Sequence, residues 1–170
     1  MSLDLTLFNL LYGFTSTHQI VGFFVSFLAN YFTYFLVGFF IWFIFQRANW
    51  KEKIYITSLA VISVVISRGI FTELFSFFFH RVRPYIALGL PTLGSTLTDG
   101  SFPSGHMTFL VPIALTIWSE DKKLGNWFLI GTILVGISRI AYGYHWPSDI
   151  LGGIIVGAVF FYLTKKFLPR

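Results

Sequence analysis

The sequence predicts an all-α integral membrane protein, a single bundle of five transmembrane helices with a short N-terminal amphipathic helix; a sixth span is the alternative. Two observations predict this class. Hydrophobic residues make up 55% and charged residues 11% of the 170 positions, with a mean hydropathy of +0.74, whereas soluble domains carry about a quarter charged residues. Apolar runs near the roughly 20 residues that a spanning helix needs also recur. Because no long linker or internal repeat interrupts the chain, residues 1–170 are expected to form one membrane-embedded domain.

The five predicted spans are apolar runs separated by polar clusters. The first, 19–46, contains no formal charge, and the second, 54–79, is interrupted only by Arg68 and Glu73. Both are long enough to cross a bilayer with some tilt. The other three runs are shorter and are bounded by polar residues. They lie at 104–119, 124–138 and 150–164.

The N-terminal segment 3–14 is apolar but too short to cross a bilayer alone, and it carries Asp4 and Asn9. We therefore expect an interfacial amphipathic helix. If it spans instead, it is the sixth span and the N-terminus changes side. The first residues show neither a basic n-region nor a small-residue cleavage site, so no removable signal peptide is predicted.

The basic residues predict how the chain is oriented, because short cytoplasmic loops are enriched in lysine and arginine. Three clusters alternate with the spans so that all of them fall on one face. They are Arg47, Lys51 and Lys53; Lys122 and Lys123; and Lys165, Lys166 and Arg170. We expect this face and the C-terminus to be cytoplasmic in the plasma membrane, with the connections 80–103 and 142–148 outside.

Charge and cysteine content exclude several classes of function. The formal net charge is +5, but the basic residues are divided among helix ends and form no single basic face, so nucleic acid is not an expected partner. The absence of cysteine excludes disulfides, thiolate metal sites and a cysteine nucleophile. We expect no metal and no cofactor, and the sequence leaves the oligomeric state open.

Three polar clusters lie at helix ends on the predicted outer face. One contains Arg81, Arg83 and Pro84, another is the tetrapeptide Pro-Ser-Gly-His at 103–106, and the last runs from Ser138 to Asp149. Ionisable side chains at membrane depth are costly and are usually functional. Taken alone, each cluster is typical of a cap or a turn, but together they predict one site at head-group level.

The second cluster is typical of an anion site at the start of a helix. Ser104 can act as the N-cap, and Gly105 lets a ligand approach the backbone. The unpaired N–H groups of the first turn and the helix dipole then attract negative charge. Arg83 and Arg139 add planar guanidinium groups, whose geometry matches phosphate oxygens. These residues predict a phosphate-binding site.

Two histidines and an aspartate complete the predicted site. Pro147 favours a helix start that places Asp149 in the first turn, just after His145. A carboxylate that binds one imidazole nitrogen fixes the tautomer and supports the charge formed when the other nitrogen attacks. His145 is therefore the better candidate nucleophile, and His106, beside the anion site, the better general acid.

These motifs together resemble a known family. Arg83-Pro84, Pro103-Ser104-Gly105-His106 and the pattern of Ser, Arg, His and Asp from Ser138 to Asp149 are similar to the blocks of the type 2 phosphatidic acid phosphatase superfamily of lipid phosphatases. The resemblance implies hydrolysis of a lipid phosphate or diphosphate at the outer face, without a metal.

The resemblance also implies a role for each residue. His145 would form a phosphohistidine intermediate, Asp149 would orient it, and His106 would protonate the leaving group. Phosphate would be bound by Arg83, Ser104, Gly105 and Arg139. The chain is most similar to bacterial undecaprenyl-diphosphate phosphatases, which recycle the lipid carrier of cell-wall synthesis. Phosphatidylglycerophosphate and phosphatidic acid phosphatases share the same blocks and remain alternatives.

One position departs from the family pattern. Its first block usually begins with a lysine seven residues before the arginine, and this chain has Ser76 there. Either Arg81 supplies the missing cation or phosphate binding is altered, so a non-catalytic phospholipid-binding protein is the competing function. Arg68 and Glu73 lie five residues apart, which is not the favoured spacing on an α-helix. A structural role is expected for them, in a pair with each other or with another helix, although Glu73 is close enough to the outer end to touch the site. His80 is expected to be interfacial and Asp99 a solvated loop carboxylate.

Overall fold

The computed structural model describes residues 2–90 and 100–170, and all regular structure within these ranges is helical. A π-helical segment, Val65–Thr72, joins the helices Trp50–Val64 and Glu73–Phe78 without a break. The all-α fold class is therefore confirmed. The helices are α1 (Leu3–Thr17), α2 (Gln19–Asn30), α3 (Phe32–Phe45), α4 (Trp50–Val64), α5 (Glu73–Phe78), α6 (Pro84–Ala87), α7 (Gly105–Glu120), α8 (Lys122–Ala141) and α9 (Pro147–Phe167).

Three helical stretches of the described chain are long and apolar enough to cross a membrane: Trp50–Phe78, α8 and α9. The predicted first span is two helices, α2 and α3, bent by 47° at Tyr31, and it is a fourth span if the pair is counted as one. At this break the Asn30 amide donates to the Ser26 carbonyl at 2.9 Å, a side-chain bond that competes with continued helix. The predicted span 104–119 is α7, whose 16 residues fall below the usual spanning length. The count of five spans, and the sixth as its alternative, stay predictions.

The N-terminal helix forms as predicted but is longer than the apolar segment 3–14, since α1 ends at Thr17. Phe8 and Tyr12 are buried against the bundle, whereas Leu10 on the other side of α1 is 68% exposed. The helix packs against α2, α8 and α9. Because one face is buried in the protein, α1 is an integral part of the bundle.

Helix α7 is the centre of the bundle. It packs against α3, α4, α8 and α9. Nine of its residues are buried, including Leu110, Ala114 and Ile117, and they meet Phe43 and Phe128 in the main core. Neighbouring helices therefore surround α7 and fix the position of its N-terminus.

The N-termini of α7 and α9 lie side by side because two glycines allow the helices to approach. A Cβ on Gly153 would stand 2.7 Å from the Met107 Cβ and 2.8 Å from the Ser104 carbonyl oxygen, and one on Gly157 would stand 3.0 Å from the Val111 Cβ. Small residues four apart are typical of close helix pairs in membranes. The Ser104 N–H also donates to the Asp149 carbonyl at 3.0 Å.

The predicted basic face lies at the opposite end of the bundle from these N-termini. Arg170 pairs with Glu120 at the end of α7 at 2.9 Å, and its guanidinium lies 5.5 Å from the centre of the Tyr55 ring near the start of α4. The connection before α4, the connection after α7 and the C-terminal tail therefore share one end. Which side of the membrane this end faces stays a prediction.

Candidate active site

A cavity of about 330 Å³ opens at the end of the bundle where α7 begins. Five of the residues predicted for the site border it. Gly105 does so with its backbone, and the other four do so with their side chains: Arg83, His106, Arg139 and His145. Three hydroxyl residues, Thr33, Thr72 and Ser76, also contribute to the wall. The charged and imidazole groups around the cavity are Arg68, Glu73, Arg83, His106, Arg139 and His145.

The start of α7 forms one wall of the cavity. Ser104 is the N-cap, as predicted, with an extended backbone at φ −62° and ψ 115°, but its hydroxyl makes no capping hydrogen bond. This buried hydroxyl has no hydrogen-bond partner among the described residues. In a helix start the N–H groups of the first two residues, here Gly105 and His106, have no intrahelical acceptor, whereas the Met107 N–H donates to the Ser104 carbonyl at 3.1 Å. Gly105 has no side chain to cover these groups. That an anion binds here stays a prediction.

Two buried arginines border the cavity. Arg83 donates to the Tyr144 carbonyl at 3.1 Å and to the Gly100 carbonyl at 3.2 Å. Arg139 donates to the Ala29 carbonyl at 3.1 Å, and its guanidinium stacks 4.2 Å from the centre of the Tyr144 ring. These carbonyls and the ring fix the two side chains. A guanidinium group that borders a cavity is suited to bind an anion such as phosphate.

The His145 ring is held in one tautomer. Its Nδ1 lies 2.9 Å from the Ser101 carbonyl oxygen, which can only accept, so Nδ1 carries the hydrogen and Nε2 keeps its lone pair. Burial lowers the pKa of His145 to about 4, and the positive charges of Arg139 and Arg83 act in the same direction. The imidazole is therefore neutral at physiological pH, as a nucleophile must be.

Asp149 lies close to His145 but does not make the predicted hydrogen bond. Its Oδ2 accepts from the Trp146 N–H at 2.8 Å and stands 3.7 Å from the His145 Nδ1. The Ser101 carbonyl fixes the tautomer instead. At 3.7 Å the carboxylate can still stabilise a positive charge on the ring. The helix start that was predicted from Pro147 is confirmed, because α9 begins there.

The motifs at these positions match a family of known proteins. The sequence model of the PAP2 superfamily matches residues 57–170, which is more than half of the chain and includes all three motif blocks. The chain belongs to the PAP2 superfamily. The resemblance that the motifs indicated is therefore confirmed.

Several curated relatives of this PAP2 chain are similar over part of their length. Undecaprenyl-diphosphatase BcrC of Bacillus subtilis is 34% identical over 89 residues, which are 52% of this chain and 46% of that protein. An undecaprenyl-diphosphatase of Sulfolobus acidocaldarius is 32% identical over 127 residues, or 72% and 58%. The lipid A 4'-phosphatase of Porphyromonas gingivalis is 30% identical over 131 residues, or 73% and 56%. The chain thus spans about half the length of these relatives.

Two crystal structures share the PAP2 fold with this chain. Aquifex aeolicus LpxE superposes with a TM-score of 0.81 at 25% identity, covering 98% of this chain and 97% of the other. A transmembrane PAP2 type phosphatidylglycerolphosphate phosphatase from Bacillus subtilis superposes with a TM-score of 0.56 at 22% identity, covering 98% and 96%. The second likeness shows the fold alone.

Arg81 was one of two explanations considered for the missing PAP2 lysine, and the structure places it behind the cavity. Arg81 is not among the described residues that border the cavity. One of its terminal nitrogens donates to Asp149 at 2.5 Å and to Ser148 at 2.6 Å, and the other pairs with Asp4 at 2.7 Å. Two carboxylates therefore hold the guanidinium behind the site. Its hydrogen bonds position Asp149 and are not directed at the cavity.

Arg68 and Glu73, for which a structural role was expected, also lie at the cavity. Their side chains form an ion pair, and both border the cavity. The spacing of five argued against this pairing on a regular α-helix, where residues five apart point about 140° apart. Here the π-helical segment Val65–Thr72 contains Arg68 and ends just before Glu73. Because π-helices bond residue i to residue i+5, a spacing of five brings the two side chains to one face.

The other residues that the sequence singled out have different positions in the structure. Ser76, at the PAP2 lysine position, borders the cavity, and His80 is exposed, as an interfacial residue would be. The connection 80–103 contains α6, one turn that begins at Pro84. Asp99 lies outside the described residues. Sequence reasoning missed the Ser101 carbonyl, because a backbone group has no side-chain signal.

Proposed function

We propose that this PAP2 chain hydrolyses a lipid phosphate or diphosphate without a metal ion, through a phosphohistidine intermediate on His145. The observation that carries the proposal is the tautomer of that ring: its Nδ1 donates to Ser101 at 2.9 Å, so the lone pair is on Nε2. The ring borders the same cavity as Arg83 and Arg139. A neutral imidazole beside two buried guanidinium groups is suited to attack on phosphorus.

In the first half-reaction the phosphoryl oxygens face Arg83, Arg139 and the N–H groups at the start of α7. The His145 Nε2 lone pair forms a bond to phosphorus, and the bond from phosphorus to the leaving oxygen breaks. His106 gives a proton to that oxygen, which belongs to an alcohol in a lipid monophosphate and to a lipid phosphate in a diphosphate. Asp149, 3.7 Å from Nδ1, stabilises the positive charge on the phosphorylated ring.

In the second half-reaction water attacks the phosphohistidine. His106, now neutral, takes a proton from this water as the oxygen bonds to phosphorus, and the bond from phosphorus to Nε2 breaks. Inorganic phosphate leaves, and His145 returns to its neutral form. The net reaction consumes one water and releases the lipid as an alcohol or, from a diphosphate, as a lipid monophosphate.

The preferred substrate that we propose is undecaprenyl diphosphate, with undecaprenyl phosphate as the product. Two relatives carry the name undecaprenyl-diphosphatase, which supports this choice over a glycerophospholipid. Phosphatidylglycerophosphate and phosphatidic acid are the alternatives, because the phosphate-binding residues do not select the lipid. The Ser76 departure supports the competing function, a protein that binds a phospholipid without turnover.

The test is phosphate release by the purified full chain in detergent, with EDTA present and with each of the three lipids in turn. We expect release to be fastest from undecaprenyl diphosphate and to be abolished by His145→Ala. His80→Ala is the matched control, because His80 is an exposed histidine outside the cavity, and it should retain full activity. Unchanged release in His145→Ala would refute the mechanism. Lipid binding without release by the wild type would favour the non-catalytic function.

We also propose that the cavity faces the outside of the plasma membrane and that the C-terminus is cytoplasmic. The support is that all three basic clusters share the end of the bundle opposite the cavity. Arg170, in the third cluster, contacts Glu120 close to the second cluster and Tyr55 close to the first. The chain has no cysteine, so His80→Cys provides one thiol near the cavity. An impermeant maleimide should label it in intact cells, and a reporter fused after Arg170 should report the cytoplasm. Labelling only after lysis would reverse the orientation.

A further inference from the structure

Arg68 borders the cavity although no PAP2 motif includes it. Its position relative to the anion site is defined by Gly105, at the start of α7. A Cβ on Gly105 would stand 2.8 Å from the Arg68 Nε and 3.2 Å from its Cζ. The guanidinium therefore lies directly against the backbone that forms the anion site. A cation in this place can reach a ligand that the α7 N–H groups bind.

The π-helical segment that carries Arg68 is fixed to α7 by buried hydrogen bonds. The Ser67 hydroxyl donates to the Thr108 carbonyl at 2.8 Å, and the Thr72 hydroxyl donates to the Thr108 hydroxyl at 2.9 Å. Thr108 lies in the first turn of α7, next to the cavity. Residues on both sides of Arg68 are thus tied to the helix that presents the anion site. π-helical turns are uncommon and occur frequently at functional sites. Here the turn carries Arg68, which lies against Gly105 at the start of α7.

The partner of Arg68 also borders the cavity. Glu73 accepts a hydrogen bond from the Arg68 guanidinium, and the side chains are 39% and 64% exposed. An ion pair this exposed adds little to stability, so a purely structural role does not explain its position. A carboxylate beside the anion site instead neutralises the arginine until an anion with more charge arrives. Phosphate carries up to two charges and competes well for the same guanidinium.

Ser76 leaves the site without the cation that the family pattern has at this position. It occupies the PAP2 lysine position and borders the cavity with a short neutral side chain. Helical side chains lean towards the N-terminus of their helix, so a lysine at this position would lean towards Arg68. A lysine at position 76 and the arginine at position 68 would therefore place their positive charges in the same part of the cavity.

We propose that Arg68 is the third phosphate-binding arginine of this site, that it replaces the lysine absent at Ser76, and that Glu73 holds it until the phosphoryl group displaces the carboxylate. The inference rests on the proposed function only in taking a phosphoryl group as the ligand. It does not require turnover, so it can be tested by binding alone.

The test measures binding of inorganic phosphate to the purified full chain in detergent by isothermal titration calorimetry. Arg68→Ala should weaken binding about tenfold, at the lower end of what a charge-assisted hydrogen bond contributes, because the side chain is partly exposed. Arg170→Ala is the matched control: it also removes an exposed arginine from an ion pair, the one with Glu120, and should leave binding unchanged. Glu73→Gln should tighten binding several-fold.

The decisive variant is the double substitution Arg68→Ala with Ser76→Lys. It restores the family pattern without restoring the Arg68–Glu73 ion pair, and we expect phosphate affinity to return to within about threefold of the wild type. A structural role for Arg68 would not be rescued by a lysine at position 76. Thermal midpoints of all variants identify any that are misfolded. Wild-type affinity in a folded Arg68→Ala protein, or no recovery in a folded double variant, would overturn the inference.

The two proposals fail separately. If the wild type releases no phosphate from any lipid but binds inorganic phosphate in an Arg68-dependent way, the hydrolase proposal falls and the Arg68 inference stands. If the wild type hydrolyses lipid phosphate while Arg68→Ala changes neither KM nor phosphate affinity, the inference falls and the hydrolase proposal stands.

Discussion

Replacing Gly153 by alanine tests whether the close approach of α7 and α9 assembles the cavity. The added Cβ would stand 2.7 Å from the Met107 Cβ and 2.8 Å from the Ser104 carbonyl oxygen. Ordinary carbon contacts are about 3.5 to 4.0 Å, so the two helices must separate by roughly 1 Å. One of the atoms in the way is backbone at the N-cap of α7. It cannot turn aside as a flexible side chain could.

The expected size of the effect combines two terms. Overpacking of a tight core costs about 1 to 3 kcal/mol, and replacing a helical glycine with alanine recovers about 0.5 to 1 kcal/mol. Gly153→Ala should therefore lower the free energy of unfolding by about 1 kcal/mol, within a range of about 0 to 2.5 kcal/mol, and the thermal midpoint by about 2 to 4 °C for each kcal/mol. Under the proposed function, displacing Ser104 and His106 from His145 by roughly 1 Å should reduce turnover at least tenfold.

Gly38→Ala is the matched control for this experiment. Gly38 lies within α3, and a Cβ there would meet no described atom within 4 Å. The same substitution should raise the thermal midpoint slightly, because only the entropy term remains. Both variants are compared in one detergent by thermal unfolding and by phosphate release. If Gly153→Ala melts at or above the wild-type midpoint with full activity, the close contact between α7 and α9 does not set the geometry of the site.

Two further predictions concern His145 and Asp4. Because burial lowers the pKa of His145 to about 4 from about 6.5 in an unfolded chain, the unfolded state alone gains this proton as the pH falls from 7 to 4. Protonation of His145 in the unfolded state should therefore lower the free energy of unfolding by about 3 kcal/mol over that range. The free energy of unfolding of His145→Gln should depend less steeply on pH. Equal slopes for the two proteins would contradict the burial argument. Asp4→Ala should lower the free energy of unfolding by about 1 to 2 kcal/mol, because Asp4 accepts from the Ser148 N–H at 2.9 Å in the first turn of α9 and pairs with Arg81. Hydrogen exchange should then rise at the start of α9, and unchanged protection there would count against this capping role.

Much of the site could be predicted from the sequence because its residues lie at helix ends, where the signals are local. Pro147 marks the start of α9 and Ser104 the N-cap of α7, and both follow from the backbone requirements of a helix start. Arg83, Arg139 and His145 were found through their chemistry and spacing. The structure brings all three to one cavity.

The interactions that were missed depend on tertiary structure or on an irregular helix. The Ser101 carbonyl orients His145 across 44 positions of sequence, and no property of the serine side chain indicates it. Arg81 was a candidate phosphate ligand because the sequence does not show that it pairs with Asp4, which is 77 positions away. Arg68 looked structural because the spacing to Glu73 was judged with 3.6 residues per turn. A spacing of five residues does not by itself distinguish a π-helical segment from an α-helix, so that geometry could be seen only in three dimensions.

The part of the chain that precedes the family match also contributes to the site. The match begins at residue 57, yet Arg139 is held by the Ala29 carbonyl at 3.1 Å and Thr33 borders the cavity. At the same end of the bundle, Asp4 binds both Arg81 and the first turn of α9. These contacts position Arg139 and the helix that carries Asp149. Under the proposed function, the motifs specify which groups meet the phosphate, and the first three helices help to determine where those groups stand.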